Sequence, residues 1–84
     1  MERKVVIVTG GSRGIGKEIV ECLAKSGFYV ILNYKSSEEE AIKIKEKLSV
    51  EGNIIEIFKA DVSKEDEVKD LIKFTLYKFK ELMY

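Results

Sequence analysis

The chain is 84 residues long, and its fifteen basic and fifteen acidic side chains cancel to a formal net charge of zero. That length allows one small domain, and the charge balance provides no overall field to draw nucleic acid or an anionic membrane surface. With one cysteine and no histidine there is neither an internal disulfide nor the usual ligand set of a transition metal. No apolar run approaches the ~20 residues of a membrane span, and the apolar stretch at the N-terminus is too short for a signal peptide. The expected location is therefore cytoplasmic, and acid–base chemistry would fall to carboxylates, lysines or tyrosines.

The first element is the apolar run Val5-Val6-Ile7-Val8, which predicts a buried strand. It breaks into Thr9-Gly10-Gly11-Ser12-Arg13-Gly14-Ile15-Gly16, and a helix is predicted from about Gly14 to Ser26, with Gly27 as its stop. A strand that ends in glycines and reopens as a helix brings backbone N–H groups up to a phosphate. Gly10 allows the sharp turn, Gly14 lets the backbone approach a pyrophosphate, and Gly16 lets the helix pack closely on the sheet. Cys22 shares a helical pattern with Ile15, Ile19 and Leu23, which predicts a small buried thiol rather than a nucleophile.

The run Tyr29-Val30-Ile31-Leu32-Asn33-Tyr34 predicts a second strand. A second helix opens at Ser36-Ser37, carries Glu38, Glu39 and Glu40 in its first turn and Lys43, Lys45 and Lys47 later, and ends at Gly52. That polarity suits the helix dipole. Asn53-Ile54-Ile55-Glu56-Ile57-Phe58 predicts the third strand. The third helix opens at Ser63, with Asp66 at a capping-box spacing. Its residues Val68, Leu71, Ile72, Thr75, Leu76, Phe79 and Leu82 predict one buried stripe. The charge runs Glu38 to Glu40 and Lys64 to Lys69 read as solvated outer faces. Phe74, Tyr77 and Phe79 read as packing residues rather than a platform for bases.

The whole is βαβαβα, the pattern of right-handed crossovers and a parallel sheet. The fold class is α/β: half of a doubly wound Rossmann-type sheet, with three parallel strands in the order 3-2-1 and residues 1–84 forming a truncated dinucleotide-binding domain. The loop spacing, Gly10-x-x-x-Gly14-x-Gly16, departs from G-x-G-x-x-G, but the strand before it and the helix after it supply the context that such a fingerprint requires. A phosphate loop of the G-x-x-x-x-G-K-[ST] kind overlaps at Gly11 to Glu18. Glu18 puts a carboxylate where a hydroxyl must hold magnesium, so the nucleotide-hydrolase reading is rejected.

The segment Thr9-Gly-Gly-Ser-Arg-Gly-Ile-Gly16 resembles the T-G-x-x-x-G-I-G fingerprint of the short-chain dehydrogenase/reductase family. Its Ser12-Arg13 pair is similar to the β-ketoacyl carrier-protein reductases of that family. Asn33-Tyr34 at the end of the second strand and Ala60-Asp61-Val62 after the third also match, so the resemblance covers essentially the whole chain. It implies that Gly10, Gly11, Ser12, Arg13, Gly14, Ile15 and Gly16 wrap the pyrophosphate and adenosine ribose of a dinucleotide. Asp61 and Val62 would lie at the adenine edge, with the Asp61 carboxylate accepting from the exocyclic amine. An NAD site usually offers a carboxylate at the end of the second strand; here Asn33 and Tyr34 stand there, and Arg13 offers a guanidinium suited to a 2′-phosphate. The cofactor expected is NADP(H). Lys35 reads as an ordinary exposed lysine.

The family's catalytic serine and Tyr-x-x-x-Lys pair have no counterpart: Tyr29, Tyr34 and Tyr77 are followed four residues later by Asn33, Glu38 and Glu81, and Tyr84 ends the chain. The resemblance therefore implies the N-terminal portion of an NADPH-dependent carbonyl reductase, with 3-oxoacyl thioesters as the family-level substrate and no hydride transfer expected from this portion alone. In the parent strand order, the first strand pairs with a fourth. Without that partner, Val5 to Val8 become an apolar edge that predicts self-association or a complementing C-terminal half. Two other readings stay open: a non-catalytic nucleotide-binding module acting through a partner, and a relic without function.

Overall fold

The computed structural model describes residues 4–10 and 14–82. Strands β1 (Val5–Thr9), β2 (Tyr29–Tyr34) and β3 (Ile55–Lys59) alternate with helices α1 (Gly14–Lys25), α2 (Glu38–Val50) and α3 (Glu65–Leu82). The strands form one parallel sheet in the order β1-β2-β3, the half-sheet the sequence predicts. Val5 to Thr9 pair with Tyr29 to Asn33, and Val30 to Tyr34 pair with Ile55 to Lys59.

β2 is the central strand and is buried along its whole length. Its alternating side chains feed two cores. Val30, Leu32 and Tyr34 pack with Val20 and Ala24 of α1, Ala41, Ile44 and Leu48 of α2, and Ile55. On the opposite face Tyr29 and Ile31 pack with Ala60 and Leu71, joined by Phe58 and Phe74. A strand covered on both faces has to be apolar throughout, which is why β2 reads as a continuous run. Each such side chain contributes roughly 1.5–3 kcal/mol of burial.

Three packing expectations are corrected. Cys22 is exposed, not buried, and Ile19 is 45% exposed. The buried face of α1 carries Val20 and Ala24, with Leu23 packed beside them, about one 100° step round from the predicted stripe. Small side chains let this helix settle close on the sheet. In α3 the stripe divides. Leu71 is buried, and Phe74 stacks on Phe58 at 4.8 Å between ring centroids. Ile72, Leu76 and Tyr77 are exposed, so Tyr77 is not a packing residue. The side chains of Phe79 and Leu82 lie outside the described residues. The Ser63–Asp66 capping box gives way to a turn built by Asp61, and α3 starts at Glu65. Among the described residues no helix is long and apolar enough to cross a membrane.

Candidate functional site

Parallel strands bring their C-terminal ends to one edge of the sheet, which is where an open α/β fold forms its crevice. Here those ends are stitched together. The Gly10 N–H donates to the Asn33 carbonyl at 3.0 Å, and the Ala60 N–H donates to the Tyr34 carbonyl at 2.9 Å. The Asn33 side chain adds a clamp: its Nδ2 donates to the carbonyls of Phe58, 3.2 Å, and Ala60, 3.1 Å.

Gly10 and Gly14 hold φ of +65° and +54°, a region open to glycine and costly to other L-residues. A Cβ at either position would meet nothing within 4 Å. Glycine is therefore favoured by backbone conformation rather than by want of room, and it leaves clear space beside the chain at the start of α1. The first turn of that helix has N–H groups without intrahelical partners, a suitable seat for an anion. Gly11, Ser12 and Arg13 lie outside the described residues, as does the side chain of Ile15. Gly16 lies in the first turn of α1 and is half-buried.

Asp61 is the most tightly arranged group of this edge. Its Oδ1 accepts from the Ser63 N–H at 2.9 Å and the Ser63 hydroxyl at 2.6 Å, and its Oδ2 faces the Lys35 ammonium at 3.5 Å. Its own N–H donates to Glu67 Oε1 at 2.8 Å. The Ser63 hydrogen bonds, helped by Lys35, hold the Asp61 carboxyl down to about 2, against an ordinary value of 3.8. A carboxylate fixed in this way stays an acceptor at neutral pH, and Val62 beside it offers an exposed apolar surface.

Because the folded value lies below the unfolded one, this contribution is complete above pH 3.8 and is lost as pH falls toward 2. Urea titrations of Asp61→Asn are therefore expected to show a shallower loss of stability across that window than the parent chain. Equal slopes would mean that the turn does not hold the carboxylate.

The structure does not bring every candidate to the crevice. Asn33 is only 3% exposed and its amide is spent on the β3 carbonyls. Tyr34 points into the α1–α2 core, where its hydroxyl donates to Glu38 Oε1 at 3.1 Å, and burial followed by the Glu38 carboxylate raises its pKa. Beyond β2, the first side chain to emerge is Lys35, which the sequence reading treats as an ordinary surface residue and the structure pairs with Asp61. Ser63 and Glu67 were missed as well. The Asp-x-Ser spacing is the signal for Ser63, since Asp commonly accepts from the N–H two residues on; Glu67, which accepts from the Asp61 N–H six residues away, carries no such signal. A separate cavity of about 120 Å³ between α1 and α2 is lined by Lys17, Glu40, Lys43, Ile44 and Lys47 and includes none of the residues of the strand ends.

The short chain dehydrogenase family model matches residues 4–83. Among curated relatives, 3-oxoacyl-(acyl-carrier-protein) reductase FabG of Staphylococcus epidermidis is 40% identical over 76 residues, covering 90% of this chain and 31% of that protein. Among solved structures, a dehydrogenase/reductase from Sinorhizobium meliloti superposes with a TM-score of 0.87 at 30% identity, covering 94% of this chain and 31% of the other. A blue fluorescent protein from a metagenomic library, in complex with NADPH, superposes at 0.84 and 30% identity, covering 93% of this chain and 32% of the other. The chain spans about three tenths of the length of the relatives it matches.

Proposed function

The chain belongs to the short-chain dehydrogenase family, and on that premise we propose that it is the NADP(H)-binding portion of a carbonyl reductase. One observation carries the reading: two glycines of positive φ, the open N-terminus of α1 and the fixed Asp61 carboxylate stand at the same edge of the sheet. The backbone from Gly10 through Gly16 would hold the pyrophosphate, and the clear space beside Gly10 and Gly14 fits that approach. Asp61 and Val62 would flank the adenine. Arg13, with Lys35 emerging beside Asp61, would meet the 2′-phosphate, and no carboxylate projects from the end of β2 to repel it.

The nicotinamide supplies hydride when it is bound; this chain's part is to bind and orient the adenosine half. The FabG relative reduces a 3-oxoacyl group by its name, and the same substrate class is proposed for the whole protein of which these residues form the cofactor portion. Without a serine and Tyr-x-x-x-Lys pair to position, the 84 residues alone are expected to bind without turnover. The C-terminal half of the reductase would complete the sheet along β1, in the order that sets a fourth strand beside the first. Both the cofactor and the relatives' chemistry fit a cytoplasmic protein.

A thermal melt with NADPH, and with NADH for comparison, tests this. At a hundredfold excess over Kd a ligand stabilises by about 2.7 kcal/mol, a rise of roughly 10 °C or more for a domain of this size. NADPH is expected to raise the transition well beyond NADH. Indifference to both would sink the nucleotide reading, and equal shifts would sink the NADP preference.

A further inference from the structure

Lys35 and Asp61 face each other across the mouth of the crevice. β2 and β3 end in register, with Tyr34 opposite Lys59, and the Ala60 N–H closes the ladder on the Tyr34 carbonyl at 2.9 Å. Each strand's next residue beyond that bond belongs to the pair, and the Lys35 ammonium stands 3.5 Å from Asp61 Oδ2.

The two partners are held very differently. Asp61 is fixed from both ends. Its N–H donates to Glu67 Oε1, and its Oδ1 accepts from both the N–H and the hydroxyl of Ser63, which fills the two acceptor directions of that oxygen. Its side chain is 17% exposed, against 73% for Lys35. Lys64, the next ammonium along the chain from this turn, is drawn instead to Glu67 Oε2 at 3.7 Å. Asp61 thus has one oxygen left to offer a ligand, Oδ2, and Lys35 stands on it. With so little of the carboxylate exposed, there is scant room for a second donor beside the ammonium. The lysine swings on a flexible four-carbon stem, and an ion pair this open to water is worth little to the fold. The pair is built to be exchanged rather than to brace the turn.

We propose that Lys35 discriminates between the two nicotinamide dinucleotides by covering the Asp61 oxygen that the adenine amine needs and giving it up only to a 2′-phosphate. This rests on the reading of the crevice as a dinucleotide seat. In a doubly wound fold the ribose hydroxyls lie at the end of the second strand, where Lys35 emerges. With NADPH, the ammonium trades one anion for another, and Oδ2 is left free to accept from adenine. With NADH there is no phosphate to draw it away. The ammonium either stays, so that two donors contend for one oxygen, or moves into water without a new partner. Lys35 therefore works against the wrong nucleotide as well as for the right one, which is how discrimination exceeds what one favourable contact supplies.

Calorimetric titration of the chain and of Lys35→Met with NADPH and NADH tests this. Methionine keeps the length of the stem and removes the charge and its donors. The NADPH Kd is expected to rise about tenfold, the scale of a lost hydrogen bond to a charged group. The NADH Kd is expected to fall about threefold, the scale of an exposed ion pair that no longer competes. Loss of a positive charge by itself weakens any anionic ligand, so a gain for NADH runs against the general field. In an Asp61→Asn background that gain should vanish, because no carboxylate remains for the lysine to cover. The nucleotide-free melt of Lys35→Met should match the parent's. An NADH Kd that is unchanged or raised in Lys35→Met, while the parent prefers NADPH, makes Lys35 a phosphate contact only and overturns this inference alone. A gain that persists with Asp61→Asn, or a lowered nucleotide-free melt, also overturns it. A parent chain that binds neither nucleotide, or both alike, overturns the underlying reading and this inference with it.

Discussion

Asn33→Asp is expected to destabilise the protein strongly at neutral pH rather than turn its preference toward NADH. Sequence position alone suggests the opposite, because a carboxylate at the end of the second strand is the mark of an NAD site. In the fold, however, the Asn33 amide is buried and donates to two carbonyls, of Phe58 and Ala60. A carboxylate there can donate to neither and would set its charge against both. One buried unsatisfied group costs about 1–3 kcal/mol, and a charged one costs more. A loss of about 3 kcal/mol or more is a large share of the ~4–13 kcal/mol that a domain of this length can hold. Burial and the two carbonyls would raise the introduced group's pKa, so the variant should regain stability as pH falls toward the unfolded value of about 3.9. The protonated acid has one O–H to donate. Urea titrations at pH 7 and near pH 4 measure this, and Asn33→Ala gives the loss of the hydrogen bonds alone. A stable Asn33→Asp with a larger melting response to NADH would show that this side chain reaches the ribose.

The same residue shows what could and could not be read from the sequence. The alternation of elements was legible because glycines mark each break and the strand runs are β-branched; β2 coincides with the predicted Tyr29–Tyr34. The crevice was legible as a place, since parallel strands must bring Gly10, Asn33 and Asp61 to one end. The aim of each side chain was not. Asn33 and Tyr34 alternate across a strand that is covered on both faces, so both turn inward, and the first residue free to face the crevice is Lys35. Helix faces failed for a related reason. Ile15 and Ile19 mark the more hydrophobic side of α1, yet the smaller Val20 and Ala24 permit the closer approach to β2. In α3, Leu71 and Phe74 take the side that packs on the sheet, and Ile72 and Leu76, on another side of the helix, are left exposed.

Gly10→Asn and Gly10→Val separate the two demands made on the glycine loop. With φ at +65°, valine would bear the left-handed penalty of roughly 1–2 kcal/mol and β-branching would add to it, so a lower melting temperature is expected without any nucleotide present. Asparagine accepts this region more readily than other side chains, and a Cβ here meets nothing within 4 Å; Gly10→Asn should therefore melt near the parent. Its side chain would still project into the clear space beside the loop, where the pyrophosphate is proposed to lie. The NADPH-induced rise in melting temperature is then expected to vanish in both variants, although only one of them is strained. If Gly10→Asn kept the full rise, the space beside Gly10 would not be the phosphate seat, and the glycine would serve only the turn out of β1.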